Sequence, residues 1–205
     1  MATLATVIAS SLDAAGLRAL MGSFRDALVV HRPTLNLLNV YPVPDGDTGS
    51  NMTMTVDSVC ADLDALDVTA DMGAVAAAIA HGSLMGARGN SGVILSQVLR
   101  GLSATFSPVG ALDAAGGAGF IDGRLLADGL AAAATAAYGA VMTPVEGTIL
   151  TVVRESAEAA VVAADAGADL LGVAEAARVA GGESLARTPE LLPVLAEAGV
   201  VDAGG

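Results

Sequence analysis

The chain has no lysine: all nine of its basic residues are arginine. A Walker A loop needs its lysine on the phosphates, a protein kinase needs one on a strand, and Schiff-base chemistry needs its amine, so all three are excluded. Tryptophan is absent and aromatic residues make up 2% of the chain. The 54% that is hydrophobic is mostly Ala, Val and Leu, which suits closely packed helices better than the aromatic and β-branched strands of a sandwich. Cys60 stands alone, which excludes internal disulfides and Cys-rich zinc sites. Its apolar neighbours Val59 and Ala61 predict a buried, inert thiol, and a reducing cytoplasm fits. Positive charge is scarce, and the net charge is -13. Nucleic acid is excluded as a partner for want of a basic patch, and a phosphate ligand needs a metal ion to bridge it to the protein. No secretory signal is expected either: no basic n-region opens the sequence, and Ser10, Ser11 and Asp13 interrupt the apolar start. The longest uncharged run, between Asp128 and Glu146, is rich in Ala and Gly and contains Pro144, so it reads as a buried helix rather than a stable membrane span.

The 205 residues suffice for one large domain with a full core. Asn39-Val-Tyr-Pro-Val-Pro-Asp-Gly-Asp-Thr-Gly-Ser-Asn51 is the stretch around which they are organised. Pro42 and Pro44 hold the backbone extended. Gly46 separates two carboxylates, Asp45 and Asp47, and Gly49 allows a sharp turn before Ser50 and Asn51 open a helical segment. Hard oxygens on a tight turn suit Mg2+ or Ca2+, and free N–H groups at a helix start suit phosphate. An Asp-Gly turn capped by polar residues would read the same way.

Apolar spacing predicts helices over Leu12–Val30, closed by His31-Arg32-Pro33, and over Thr34–Leu38. Others follow over Asn51–Leu66, Asp71–Met85 and from Ser91 to Gly101. Ser107–Gly123 is the least ordered connection. Asp122–Val141 is the next helix, whose Ala131–Ala134 run lets a neighbour approach closely. Thr143-Pro144 reads as an N-cap and N1 proline starting a helix to about Ala164, with Glu146 in its first turn. Asp169–Gly181 and Glu183–Arg187 follow. Thr188-Pro189 repeats the cap grammar for a last helix, Glu190–Ala198, ended by Gly199. No segment alternates, so the fold is read as all-α, an antiparallel up-and-down arrangement of about eight helices.

In such an array every second loop lies at one end. Three loops there are specialised: the Asp45-Gly46-Asp47 turn, the Gly86–Gly92 loop with Asn90 and Ser91 opening the next helix, and Thr143–Leu150 with Thr148 and Ile149. A glycine-rich loop feeding a helix presents N–H groups to phosphate without Cβ obstruction, although a plain flexible link has the same composition. Asp45 and Asp47 would hold one or two Mg2+ ions and, through them, a polyphosphate.

Asn39–Met52, His81–Gln97, Thr143–Leu150 and Thr188–Gly205 together resemble the N-terminal nucleotide-binding domain of bacterial fatty acid kinase, a relative of the nucleotide-binding subunit of dihydroxyacetone kinase. The resemblance covers nearly the whole chain. It implies a single domain, an eight-helix antiparallel barrel with ATP or ADP and paired Mg2+ ions at one end. By position, Asp45 and Asp47 match metal-binding aspartates. Asn39 is the nearest polar residue to a further upstream aspartate of the dihydroxyacetone branch, and it is offset by one. Thr48 stands near phosphate, Asn51 matches an asparagine of the motif, and Ser91 with Gly92 matches a phosphate-contacting pair. Ile94 and Ile149 fall where apolar side chains sandwich adenine, and Asp202 and Gly204 match a closing Asp-x-Gly. Arg88 would add positive charge near the phosphates or serve a helix end, and His81 a helix C-terminus.

The resemblance further implies a cytoplasmic kinase that phosphorylates a fatty acid carboxylate presented by a carrier protein, giving an acyl phosphate. The carrier docks through domains that follow this one, so the chain is expected to be an excised domain, weakly active alone; a homodimer is compatible. The alternatives are a dihydroxyacetone kinase-type module that phosphorylates a small hydroxyketone or keeps ADP as a phosphate relay, and a lipid-binding helical barrel.

Overall fold

The computed structural model describes residues 11–114 and 119–205, with the side chains of 110–114 left aside. The fold is all-α, as expected. Among the described residues eight helices follow one another: α1 (Ala14–Leu38), α2 (Thr48–Asp64), α3 (Met72–Gly86), α4 (Gly89–Ala114), α5 (Gly123–Gly139), α6 (Ile149–Asp165), α7 (Leu170–Leu191) and α8 (Pro193–Ala198). Each packs on the next, and further contacts join α2 to α4 and α5 to α7. This is the neighbour pattern of an up-and-down array. Among the described residues extended pairing is limited to one antiparallel bridge, Leu12 with Ile121, through two 2.8 Å bonds that pin the start of α1 beside the start of α5. No described helix is long and apolar enough to cross a membrane. The apolar residues before Ser10 lie outside the described residues.

Aspartate starts most of these helices. The carboxylates of Asp13, Asp71, Asp122 and Asp169 each accept the N–H three residues on, at 2.7 to 2.8 Å. That is the N-cap bond that satisfies an otherwise orphaned donor. The main core lies among α1 to α4, around Val56, Val59, Met72, Val75, Leu95 and Leu99, and a smaller one joins α5, α6 and α7 at Ala127, Ala160 and Val173. Cys60 belongs to the first core and burial pushes its thiol pKa up, which fits an inert side chain. The small residues do bring helices together: a Cβ on Gly101 would lie 2.6 Å from the Ala133 Cα, so α4 and α5 touch backbone to backbone.

Proline misled the expected boundaries. α1 runs through Pro33 to Leu38, α4 through Pro108 to Ala114, and α7 through Pro189 to Leu191. A proline removes one helical bond and crowds the preceding turn, yet a long helix keeps its other bonds. Around Pro33 the residues from Val29 to Thr34 are exposed, so water can serve the freed Val29 carbonyl. Much of the connection expected from Ser107 is therefore helix, and residues 115–118 lie outside the described residues. Likewise α7 does not divide at Gly181 and Gly182. Gly181 sits where a Cβ would be 2.6 Å from Ser156 Oγ on α6, so close packing holds the helix there.

Candidate functional site

Three loops and the C-terminal tail meet at one end of the array. The α1–α2 loop, the α3–α4 loop with the first turn of α4, the α5–α6 loop and the tail after α8 surround a cavity of about 550 Å3. Asn39, Asp45, Asp47 and Thr48 line it from the first of these, and Gly89, Asn90, Ser91 and Ile94 from the second. Thr148 and Ile149 come from the third, Asp202 and Gly204 from the tail. Eleven of the residues expected at a site from sequence are thus brought together; Asn51, Arg88 and Gly92 do not line the cavity.

The first loop explains why its two carboxylates are available. Asp47 stands at the N-cap position of α2 but makes no capping bond, unlike Asp13, Asp71, Asp122 and Asp169. Two asparagines from the end of α1 do the capping. Asn39 Oδ1 accepts the Thr48 N–H at 3.2 Å and also the Thr48 hydroxyl, and Asn36 Oδ1 accepts the Ser50 N–H at 3.1 Å. Asn39 Nδ2 donates to the Val43 carbonyl at 2.6 Å and to Asp45 Oδ1 at 3.3 Å. Both ends of this buried amide are therefore engaged within the loop, which fits an orienting group beside Asp45. Among the described residues neither Asp45 nor Asp47 forms an ion pair. Gly49 makes the close approach possible: a Cβ there would lie 2.6 Å from the Arg32 carbonyl.

The second loop is built differently. Gly89 adopts φ +59, a conformation costly for any residue with a Cβ. A Cβ on Gly89 would lie 2.2 Å from Asn51 Nδ2, and one on Gly92 would lie 2.5 Å from Thr55 Oγ1. Asn51 and Gly92 thus seat the start of α4 against α2, which places Asn90 and Ser91 at the cavity. The Gly92 N–H already bonds the Arg88 carbonyl at 3.0 Å, so Arg88 is the backbone start of α4. Among the described residues no side chain caps the N–H groups of Gly89, Asn90 and Ser91. The Arg88 guanidinium turns back to the Met85 and Ala87 carbonyls at 3.2 and 2.9 Å, closing the end of α3. His81 pairs with Asp62 at 2.6 Å on an exposed face, away from the cavity.

The third loop corrects a boundary. α6 starts at Ile149 with Thr148 as its cap, not at Pro144. Gly147 has φ +81, outside the right-handed helical region. A Cβ on it would meet Leu192 Cβ and the Thr188 carbonyl, each at 2.9 Å. Glu146 is held instead by side chains: Thr151 Oγ1 and the Tyr138 hydroxyl donate to it at 2.6 and 2.9 Å, and Arg154 at 3.2 Å. The Thr151 bond above all holds its carboxyl pKa below the ordinary value, against a smaller opposing effect of burial.

In the tail, Gly199 ends α8 in the left-handed conformation, as expected. Burial pushes the Asp202 carboxyl pKa up, partly offset by N–H bonds from Gly204, Ile149 and Gly205. Sequence reasoning missed Asn36, Tyr138 and Arg154 and read Glu146 and Thr188 only as helix-start residues, whereas all five build the site from outside it; of the missed residues only Asn36, three before Asn39 at a helix end, carried a signal. It also missed the apolar lining of Val93, Leu150 and Ala203.

Electrostatically the cavity is one-sided. Asp45, Asp47 and Asp202 line it, and among the described residues no Arg or His does. Among the described residues no group of three or more His, Cys, Asp or Glu forms a ready-made metal cage. The protein itself offers two accessible carboxylates. This donor set fits Mg2+, which keeps several waters and takes its remaining oxygens from substrate phosphates. The start of α4 at Gly89, Asn90 and Ser91 and the apolar side chains of Val93, Ile94, Ile149 and Leu150 line the same cavity.

Comparison with known proteins identifies the family. Residues 42–205 match the family model described as the DAK2 domain. The chain is 47% identical over 174 residues to protein YloV of Bacillus subtilis (strain 168), which covers 83% of this chain and 29% of YloV. An uncharacterized protein of Staphylococcus aureus (strain bovine RF122 / ET3-1) is 46% identical over 168 residues, 82% of this chain and 29% of that protein. The chain thus spans under a third of the length of these relatives. The glycine-rich helix start, the Thr148 cap and the closing tail all fall within the matched residues, and the chain belongs to the DAK2 domain family, a module of the dihydroxyacetone kinase type.

Proposed function

We propose that this chain is a Mg-ATP-binding phosphotransferase domain whose acceptor is the carboxylate of a fatty acid presented by a carrier protein. The observation that supports nucleotide and metal together is the cation-free cavity lined by three aspartates in a chain of net charge -13. A polyphosphate entering it is repelled unless it brings divalent charge. When bound, Mg2+ would join Asp45 and Asp47 to the phosphates and neutralise charge on the transferred group.

The remaining roles follow from the chain's own groups. The free N–H groups of Gly89, Asn90 and Ser91 present donors to phosphate oxygens at the positive end of α4. Ile94 and Ile149, with Val93 and Leu150 beside them, offer apolar surface for a flat base. Asn39 orients the Asp45 carboxylate and is itself held by Thr48. Arg88 is assigned to the end of α3 rather than to the phosphates. A carboxylate acceptor is already ionised at neutral pH, so its oxygen forms the new P–O bond while the bridging oxygen leaves with ADP, and no protein base is required. The choice of a fatty acid rests on the resemblance to fatty acid kinases.

The DAK2 match suits a second reading, a module that phosphorylates a small hydroxyketone or retains ADP as a relay. Hydroxylamine separates them, because it traps acyl phosphates and leaves phosphate esters intact. With ATP, Mg2+ and a fatty-acid-loaded carrier, joined to the downstream domains of a longer relative, the chain should yield hydroxamate, and slowly or not at all alone. Dihydroxyacetone phosphate without hydroxamate would replace the fatty acid reading, and ADP that fails to exchange would favour the relay.

A further inference from the structure

Pro189 lies inside α7 and has no N–H, so the carbonyl four residues back, that of Leu185, loses its helical donor. The Thr188 hydroxyl fills the gap, donating to the Leu185 oxygen at 2.8 Å. The same hydroxyl oxygen accepts the N–H of Asp202, fourteen residues on, at 3.1 Å. Thr188 has no exposed surface, so water cannot stand in for either bond. A hydroxyl can donate once and accept as well, and here the two roles serve different parts of the fold. The Thr188 backbone carbonyl accepts the Leu192 N–H at 3.0 Å and stands 2.9 Å from where a Cβ on Gly147 would be. One buried residue therefore touches α7, the tail and the loop that leads into Thr148. The latter two are walls of the cavity, and they meet each other: a Cβ on Gly204 would lie 3.4 Å from Ile149 Cβ.

We propose that Thr188 is a positioning residue for the nucleotide site: without lining the cavity, its hydroxyl holds Asp202 and Gly204 in place against Ile149. This rests on the nucleotide reading above. It also gives Pro189 a role. By removing the N–H that would otherwise occupy the Leu185 carbonyl, the proline turns the hydroxyl proton toward α7 and leaves the oxygen's lone pairs for the tail.

The test separates positioning from simple helix stability. In the double variant Thr188→Val/Pro189→Ala, the backbone N–H regained at position 189 again serves Leu185 and only the acceptor for Asp202 is lost. Hydrogen exchange on the ligand-free chain reads the tail alone, and titration calorimetry with Mg-ADP reads the site. The double variant should unfold near the wild-type temperature, exchange the amides of residues 200–204 about tenfold faster, and bind Mg-ADP about tenfold more weakly. Thr188→Ser, which keeps both bonds, should restore each to within about threefold. If the valine does not fit, Thr188→Ala on the same background removes the acceptor without its volume. Wild-type exchange and affinity in the double variant would overturn the proposal, as would faster exchange with unchanged affinity or failure of the serine to rescue. Absence of nucleotide binding in the wild type would refute the nucleotide reading instead, with the exchange rates still deciding whether Thr188 holds the tail.

Discussion

Asp47 and Asn39 stand at the same helix start and should fail in different ways. The Asp47 carboxylate makes no capping bond, so Asp47→Asn should leave stability within about 0.5 kcal/mol while removing metal-dependent nucleotide binding. Asn39 caps the Thr48 N–H and holds the Val43 carbonyl. Asn39→Ala should cost about 1–2 kcal/mol in urea unfolding and weaken binding as well. Two other carboxylates give opposite pH behaviour. Glu146 is held below its ordinary pKa, first by Thr151, so its contribution is present above the unfolded-state value and is lost as pH falls through the folded-state value. Asp202 is pushed above its ordinary 3.8 by burial, so its contribution is present below the unfolded-state value and is lost as pH rises through the folded-state one. Urea midpoints between about pH 3 and 7 should check both. The gap between wild type and Glu146→Gln should widen as pH rises, and the gap between wild type and Asp202→Asn should shift in the opposite direction.

At the scale of the helix, glycine is decided by its neighbours. Gly22 lies inside α1, where an added Cβ would meet nothing within 4 Å, whereas a Cβ on Gly82 in α3 would sit 2.7 Å from the Val59 Cα. Gly22→Ala should therefore stabilise by about 0.5–1 kcal/mol, and Gly82→Ala should destabilise by about 1–3 kcal/mol by forcing α3 off α2. Thermal unfolding of the two variants tests the pair. The same locality explains how much of the fold could be read from sequence. Asp71 before Met72 and Asp122 before Gly123 announce their helices because a cap acts within one turn. Pro33, Pro108 and Pro189 announced ends that do not occur. Whether a proline breaks a helix depends on what serves the freed carbonyl, and at Leu185 that is the neighbouring Thr188 hydroxyl. Thr143-Pro144 failed for a related reason: Gly147, at positive φ, packs against Thr188, Leu191 and Leu192, more than forty residues away in the chain.

For the molecule as a whole, alternate loops of an up-and-down array share one end, and that rule brought Asp45, Ser91, Thr148 and Asp202 to one cavity. Chemistry within each loop was legible because the carboxylates and glycines are local. The supports were not, since Asn36, Glu146 and Thr188 act through partners that only the fold brings near. The cavity's charge is likewise a property of the assembled whole: among the described residues it collects three aspartates from two distant segments and no cation. Titration calorimetry of ATP, with and without Mg2+, on the wild type and Asp47→Asn tests the consequence. Tight binding only in the wild type with Mg2+, weakened at least about tenfold by removing either metal or carboxylate, is the expected result. Equal affinity in all four titrations would contradict a metal-bridged nucleotide site.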